Sequence, residues 1–125
     1  MSRCVLITGG SRGIGLELCR LFHNNGDRVF TTCRTMTPEL NDLGVKVIQG
    51  IDVTSASDCQ QLNEAFSNET IDILINCAGL LHSESLNNLD FDQILRQFEV
   101  NSLAPLRVTH SLLDSLSSGS KVAII

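Results

Sequence analysis

Cys4-Val-Leu-Ile-Thr8-Gly9-Gly-Ser-Arg12-Gly13-Ile14-Gly15-Leu-Glu-Leu-Cys-Arg-Leu-Phe22 is the stretch that decides how this chain folds. Cys4 to Ile7 is an unbroken apolar run, as a parallel strand buried on both faces requires. Gly9, Gly13 and Gly15 follow in the pattern T-G-x3-G-x-G. Ile14, Leu18, Leu21 and Phe22 then recur at helical spacing, which predicts an amphipathic helix with those residues inward. The glycines therefore sit where a strand turns tightly into a helix. The first permits the turn, the middle one lets the backbone approach a phosphate, and the last lets helix and strand pack closely. The first amides of such a helix lack partners within it, and its dipole favours an anion there. The ligand this predicts is the pyrophosphate of a dinucleotide. No G-K-[ST] follows, so a P-loop is excluded.

Outward from that turn, strand and helix patterns alternate along the chain. Asn24-Asn-Gly26 is a helix stop, Val29 to Cys33 a β-branched strand, and Pro38 to Leu43 a short helix. Val45 to Gln49 is a third strand. Ser55 or Ser57 caps a helix running to about Phe66, with Leu62, Ala65 and Phe66 inward. Ile71 to Ile75 is a fourth strand. A polar loop over 83–88 leads into a long helix from about Phe91 to Leu116. Ser117 to Ser120 reads as a loop, and Lys121 to Ile125 as the start of a fifth strand. Such alternation predicts an α/β Rossmann fold, a doubly wound parallel sheet of order 3-2-1-4-5 truncated at the fifth strand, with residues 1–125 as one dinucleotide-binding domain.

Composition narrows the function classes. The 125 residues carry a net charge of −5, with nine scattered Lys and Arg, which argues against nucleic acid or an anionic membrane as partner. No apolar run is long enough to span a bilayer, and Met1-Ser-Arg-Cys4 enters the first strand directly, so no leader is expected. The five cysteines are odd in number and contain no C-x-x-C, which reads as buried thiols in a reducing, cytoplasmic compartment with no metal site.

Thr8-Gly9-x3-Gly13-x-Gly15, Asp52-Val53, Asn76-Cys-Ala78-Gly79 and Val100-Asn101 occur in one order at set intervals. Together they resemble the short-chain dehydrogenase/reductase family in its compact single-domain branch. The texture of 98–102 and 119–125 is similar to the C-factor or Sniffer-like carbonyl reductases. The resemblance implies that Gly9, Gly13 and Gly15 hold the pyrophosphate, with Ser11, Arg12 and Ile14 lining the turn. It implies that Asp52 bonds the adenine amino group and Val53 flanks the ring. Asn76, Ala78 and Gly79 would lie along the cofactor. A helix N-cap is the other reading of Asp52. Cys77 stands where the family carries a second asparagine, and reads as a small buried residue.

An NAD enzyme of this fold needs a carboxylate at the end of the second strand to accept from the ribose hydroxyls. That position is Cys33, and its neighbour Arg34 and the turn residue Arg12 are basic. Guanidinium groups recognise a 2′-phosphate through paired charge-assisted bonds, which selects NADP(H).

Pro105 removes an N–H from the long helix, and four residues earlier stands Asn101, whose carbonyl is expected to be free at a bend. The resemblance makes that carbonyl a water-holding member of a proton relay; a purely structural kink is the other reading. The sequence contains no tyrosine, while the family's proton donor is a tyrosine with a nearby lysine. The expectation is thus the cofactor half of an NADP(H)-dependent oxidoreductase about twice as long, acting on a small carbonyl or alcohol substrate and pairing with a second copy through the 91–116 helix. A non-catalytic NADP-binding module, or a fragment that regulates a full-length relative, are the alternatives.

Overall fold

The computed structural model describes residues 2–125. Five parallel strands form one sheet in the order β3-β2-β1-β4-β5. They are β1 (Cys4–Thr8), β2 (Arg28–Cys33), β3 (Lys46–Gln49), β4 (Ile71–Asn76) and β5 (Leu116–Ile124). Helices α1 (Gly13–Asn24), α2 (Pro38–Leu43), α3 (Ala56–Ala65), α4 (Phe91–Phe98) and α5 (Ala104–Ser111) connect them. Strand order and fold class are those the alternation predicts.

β1 is central and every residue of it is buried. Its side chains alternate between faces, as the period of two in a strand demands. Cys4 and Leu6 join Leu62, Phe66, Leu74, Val108 and Leu112 on the α3–α5 side, and Phe66 meets Phe30 edge to face at 5.0 Å. Val5 and Ile7 join Cys19, Val29 and Ile75 on the α1 side. Fully burying one such aliphatic side chain stabilises the fold by roughly 1.5–3 kcal/mol. This two-faced core fixes β1, and hence the turn that leaves its carboxyl end.

The inward face of α1 differs from the expected one. Gly15, Leu16 and Cys19 are buried, Leu18 and Phe22 pack partly, and Ile14 and Leu21 are 62% and 63% exposed. The narrow side carrying Gly15 turns to the sheet because the helix starts so close to it. In α3, Leu62 and Phe66 are buried but Ala65 is exposed. Ser55 is the N-cap, its Oγ accepting from the Asp58 N–H at 3.2 Å.

The expected continuous helix over 91–116 is broken. After α4 the chain widens into a π turn, Glu99–Leu103, in which the Ala104 N–H donates to the Glu99 carbonyl, before α5 begins. Pro105 has no N–H to give, so an unbroken α register would leave the Asn101 carbonyl without its donor. The chain widens around that position, a device common at functional sites. A single 3₁₀ turn, Leu113–Ser115, precedes β5.

β5 begins at Leu116, five residues before Lys121. Ile71 aligns with Leu116 and Ile73 with Lys121, so 117–120 bulge from the ladder. Ser120 closes the bulge: its Oγ donates to the Ile71 carbonyl at 2.6 Å and accepts from the Ser117 N–H at 2.9 Å.

Candidate cofactor cleft

The carboxyl ends of the strands open onto a cleft of about 730 Å³. Gly9, Ser11, Arg12, Gly13, Ile14 and Gly15 line it from the first turn. Arg34 enters after β2, Asp52 and Val53 after β3, and Ala78 and Gly79 after β4. Eleven of the residues singled out from sequence thus meet in one cavity, of a size suited to a large organic ligand. Asn76 and Asn101 are not among the residues lining it.

The first turn has the geometry that an anion would need. Gly9 has φ of +74°, and its N–H and that of Gly10 both donate to the Thr32 carbonyl at 3.1 Å, pinning the turn to β2. A Cβ on Gly9 would stand 2.7 Å from the Ala78 Cα. A Cβ on Gly15 would collide with the Gly9 carbonyl, while one on Gly13, at φ of +59°, would meet nothing within 4 Å. The three glycines therefore serve a turn, a close approach and an open backbone surface. Arg12 is the N-cap of α1 and makes no side-chain capping bond, and the first turn carries no acid. Its amides and dipole are left for a negatively charged group, so a pyrophosphate fits.

At the end of β2, Cys33 is buried, and burial pushes its thiol pKa up. It carries no charge to answer the guanidinium groups of Arg12 and Arg34. Asp52 does not cap α3. Its Oδ1 accepts from the Thr54 N–H at 2.9 Å and the Thr54 Oγ1 at 2.7 Å, and these bonds, with Arg96 and Arg34 nearby, hold its pKa below the usual carboxylate range.

At the end of β4 the backbone is held from behind. The Thr8 Oγ1 accepts from the N–H groups of Cys77 at 3.0 Å and Ala78 at 3.1 Å. Asn76 is buried, donating from Nδ2 to the Thr109 Oγ1 at 3.3 Å, while its main-chain carbonyl accepts from the Ile125 N–H at 3.0 Å. Its place is under the cleft, tying β4 to α5 and β5. Asn101 spends its side chain on the loop after Gly79: Oδ1 accepts from the Leu80 N–H at 2.8 Å and Nδ2 donates to the Leu80 carbonyl at 2.7 Å.

Thr32, Thr37 and Arg96 escaped the sequence reading, and Thr8 entered it only as the head of the glycine motif. Thr37 donates to the Ser11 carbonyl at 2.7 Å and caps α2, accepting from the Leu40 N–H. Arg96 lines the cleft from α4. β-Branched threonines in strands read as strand formers, which hides their hydroxyls. The threonine before Gly9 was the one available signal.

A family model described as short chain dehydrogenase matches residues 3–125. The chain is 32% identical over 123 residues to a 1-hydroxy-2-glutathionyl-2-methyl-3-butene dehydrogenase of Rhodococcus sp. strain AD45, covering 97% of this chain and 54% of that protein. It is 32% identical over 119 residues to the human short-chain dehydrogenase/reductase 3, covering 87% and 39%. Among solved structures, a carbonyl reductase from Pseudomonas aeruginosa PAO1 superposes with a TM-score of 0.84 at 30% identity, covering 96% of this chain and 59% of that one. The chain thus spans about half the length of the relatives it matches.

Proposed function

Because the chain belongs to the short-chain dehydrogenase family, we propose that it is the cofactor-binding part of an NADP(H)-dependent oxidoreductase acting on a small carbonyl or alcohol. The nicotinamide ring, when bound, supplies or accepts the hydride. Gly9, Gly13 and Gly15 hold the pyrophosphate against the first turn of α1, with Ser11 and Ile14 beside it. Arg12 and Arg34 take the 2′-phosphate. Asp52 accepts from the adenine amino group, Val53 flanks the ring, and Ala78 and Gly79 lie along the remainder. Asn76 acts from beneath, by fixing the end of β4. Asn101 fixes the following loop with its side chain and offers its main-chain carbonyl, at the π turn, to a proton-carrying water.

The observation that carries the choice of NADP(H) is the convergence of Arg12 and Arg34 on one cleft where β2 ends in the uncharged Cys33. A 2′-phosphate brings roughly two negative charges and suits paired guanidiniums. With no tyrosine in the sequence, these 125 residues bind the cofactor without turning over a carbonyl on their own. The exposed apolar side chains of Phe91, Leu95, Phe98 and Leu106 serve pairing with a second copy. Five free thiols suit a cytoplasmic location. Arg34→Asp tests the cofactor choice. It should weaken NADPH binding by roughly tenfold or more while leaving NADH within about threefold. Equal losses for both would overturn it.

A further inference from the structure

Arg12 and Arg34 line the cleft as exposed cations, and neither forms an ion pair among the described residues. Arg34 acts on the Asp52 carboxylate without pairing with it. Like charges brought to one cavity repel, so the fold has to hold their backbone segments together against that repulsion. The Thr37 hydroxyl is the group that does so. It donates to the Ser11 carbonyl at 2.7 Å and accepts from the Leu40 N–H at 3.3 Å, which commits it in both senses. The Asn41 N–H bonds the Thr37 carbonyl at 3.0 Å and pins the same residue a third time. Leu40 is fully buried and packs with Leu16 of α1 and Cys33 of β2, with Met36 against the same cluster. The core thus fixes α2, α2 fixes the Thr37 side chain, and that side chain fixes the first turn.

The Ser11 carbonyl and the Arg12 N–H belong to one planar peptide unit, so the Thr37 hydroxyl sets the plane from which Arg12 departs. Arg12 is itself extended, at φ −160° and ψ 171°, and its side chain makes no capping bond. Arg34 opens the loop that ends at Thr37. One hydrogen bond therefore joins the two segments that carry the guanidiniums. We propose that Thr37 is a positioning residue for 2′-phosphate recognition, its hydroxyl presenting Arg12 and Arg34 together before the dinucleotide arrives. This role deepens the NADP(H) reading and rests on it. Preorganisation raises affinity by removing the ordering cost at the moment of binding. NADH, which lacks the 2′-phosphate, gains nothing from it.

The test is calorimetric titration with NADPH and with NADH of the wild type, Thr37→Val, Thr37→Ser, Arg12→Met and the double variant of Arg12→Met with Thr37→Val. Circular dichroism confirms that each is folded, and Thr37→Ala replaces the valine variant if that one is not. Thr37→Val should weaken NADPH about fivefold while leaving NADH within about twofold. Thr37→Ser keeps the hydroxyl and should stay within about twofold of the wild type for both. With Arg12 already removed, Thr37→Val should change NADPH affinity by less than about twofold, because the two residues act as one unit. Equal losses for NADPH and NADH in Thr37→Val would overturn the assignment, since a hydroxyl that only caps α2 weakens both alike. The full loss persisting in the Arg12→Met background would overturn it as well. A wild type that binds NADPH and NADH equally would instead overturn the NADP(H) reading itself, and this role with it.

Discussion

Gly15→Ala is the substitution that most sharply probes the link between this turn and its ligand. A Cβ at Gly15 would collide with the Gly9 carbonyl oxygen and stand 2.9 Å from the Gly9 carbonyl carbon and 3.2 Å from the Gly10 Cα. All three are backbone atoms, so no rotamer change relieves the contact. The start of α1 must move away from the turn or the turn must open. Overpacking of this kind costs about 2–3 kcal/mol. Alanine's better helix propensity offsets at most ~1 kcal/mol of that. The net loss is about 1–2 kcal/mol, or a fall in Tm of roughly 4–8 °C for a domain of this size. The displaced amides are those facing the proposed pyrophosphate, so NADPH affinity should fall roughly tenfold as well. Thermal unfolding with and without NADPH reads both quantities. An alanine variant with wild-type Tm and wild-type affinity would refute the reasoning, because it would mean that the close approach is not needed.

Two further predictions concern what supports the cleft. Thr8→Val removes the acceptor for the Cys77 and Ala78 amides and should cost about 2–4 kcal/mol in chemical denaturation, whereas Thr8→Ser keeps the hydroxyl and should cost ~1 kcal/mol. Equal losses would show that the hydroxyl is not the anchor. Asp27, which accepts from the Arg3 Nε at 3.0 Å and Nη2 at 2.8 Å, has its pKa held down to about 2, chiefly by those bonds. Its stabilisation is therefore present above the ordinary carboxylate range and lost as pH falls from about 4 toward 2. Asp27→Asn should flatten the stability profile in that window, and superimposable profiles would sink the assignment.

The sequence was most informative where one residue type has one mechanical use. The glycines of the first turn, the Ser55 cap and the strand order all follow from local chemistry and the alternation of periods. Side chains serving two masters were harder to read. Ile14 keeps helical spacing with Leu18, yet it faces the cleft, and an apolar residue lining a ligand site looks like core in a periodicity argument. Pro105 marked the weak place in the long helix, but a missing N–H does not say whether the backbone will kink or widen into a π turn. The strand at 116–124 was masked by residues 117–120, which bulge from the ladder instead of forming a loop, with Ser120 alone bonding back to β4. Asn76 and Asn101 show the same limit in the site. Their side chains hold β4 and the loop after it, and only the three-dimensional neighbours, Thr109 and Leu80, reveal that.

The most direct test of the account is calorimetric titration of the protein with NADPH and with NADH at low and at physiological salt. Guanidinium groups at Arg12 and Arg34 should make NADPH the tighter ligand by roughly ten- to a hundredfold, with an advantage that shrinks as salt screens the 2′-phosphate. Equal affinities, or tighter binding of NADH, would contradict the claim that this cleft is built for a phosphorylated dinucleotide.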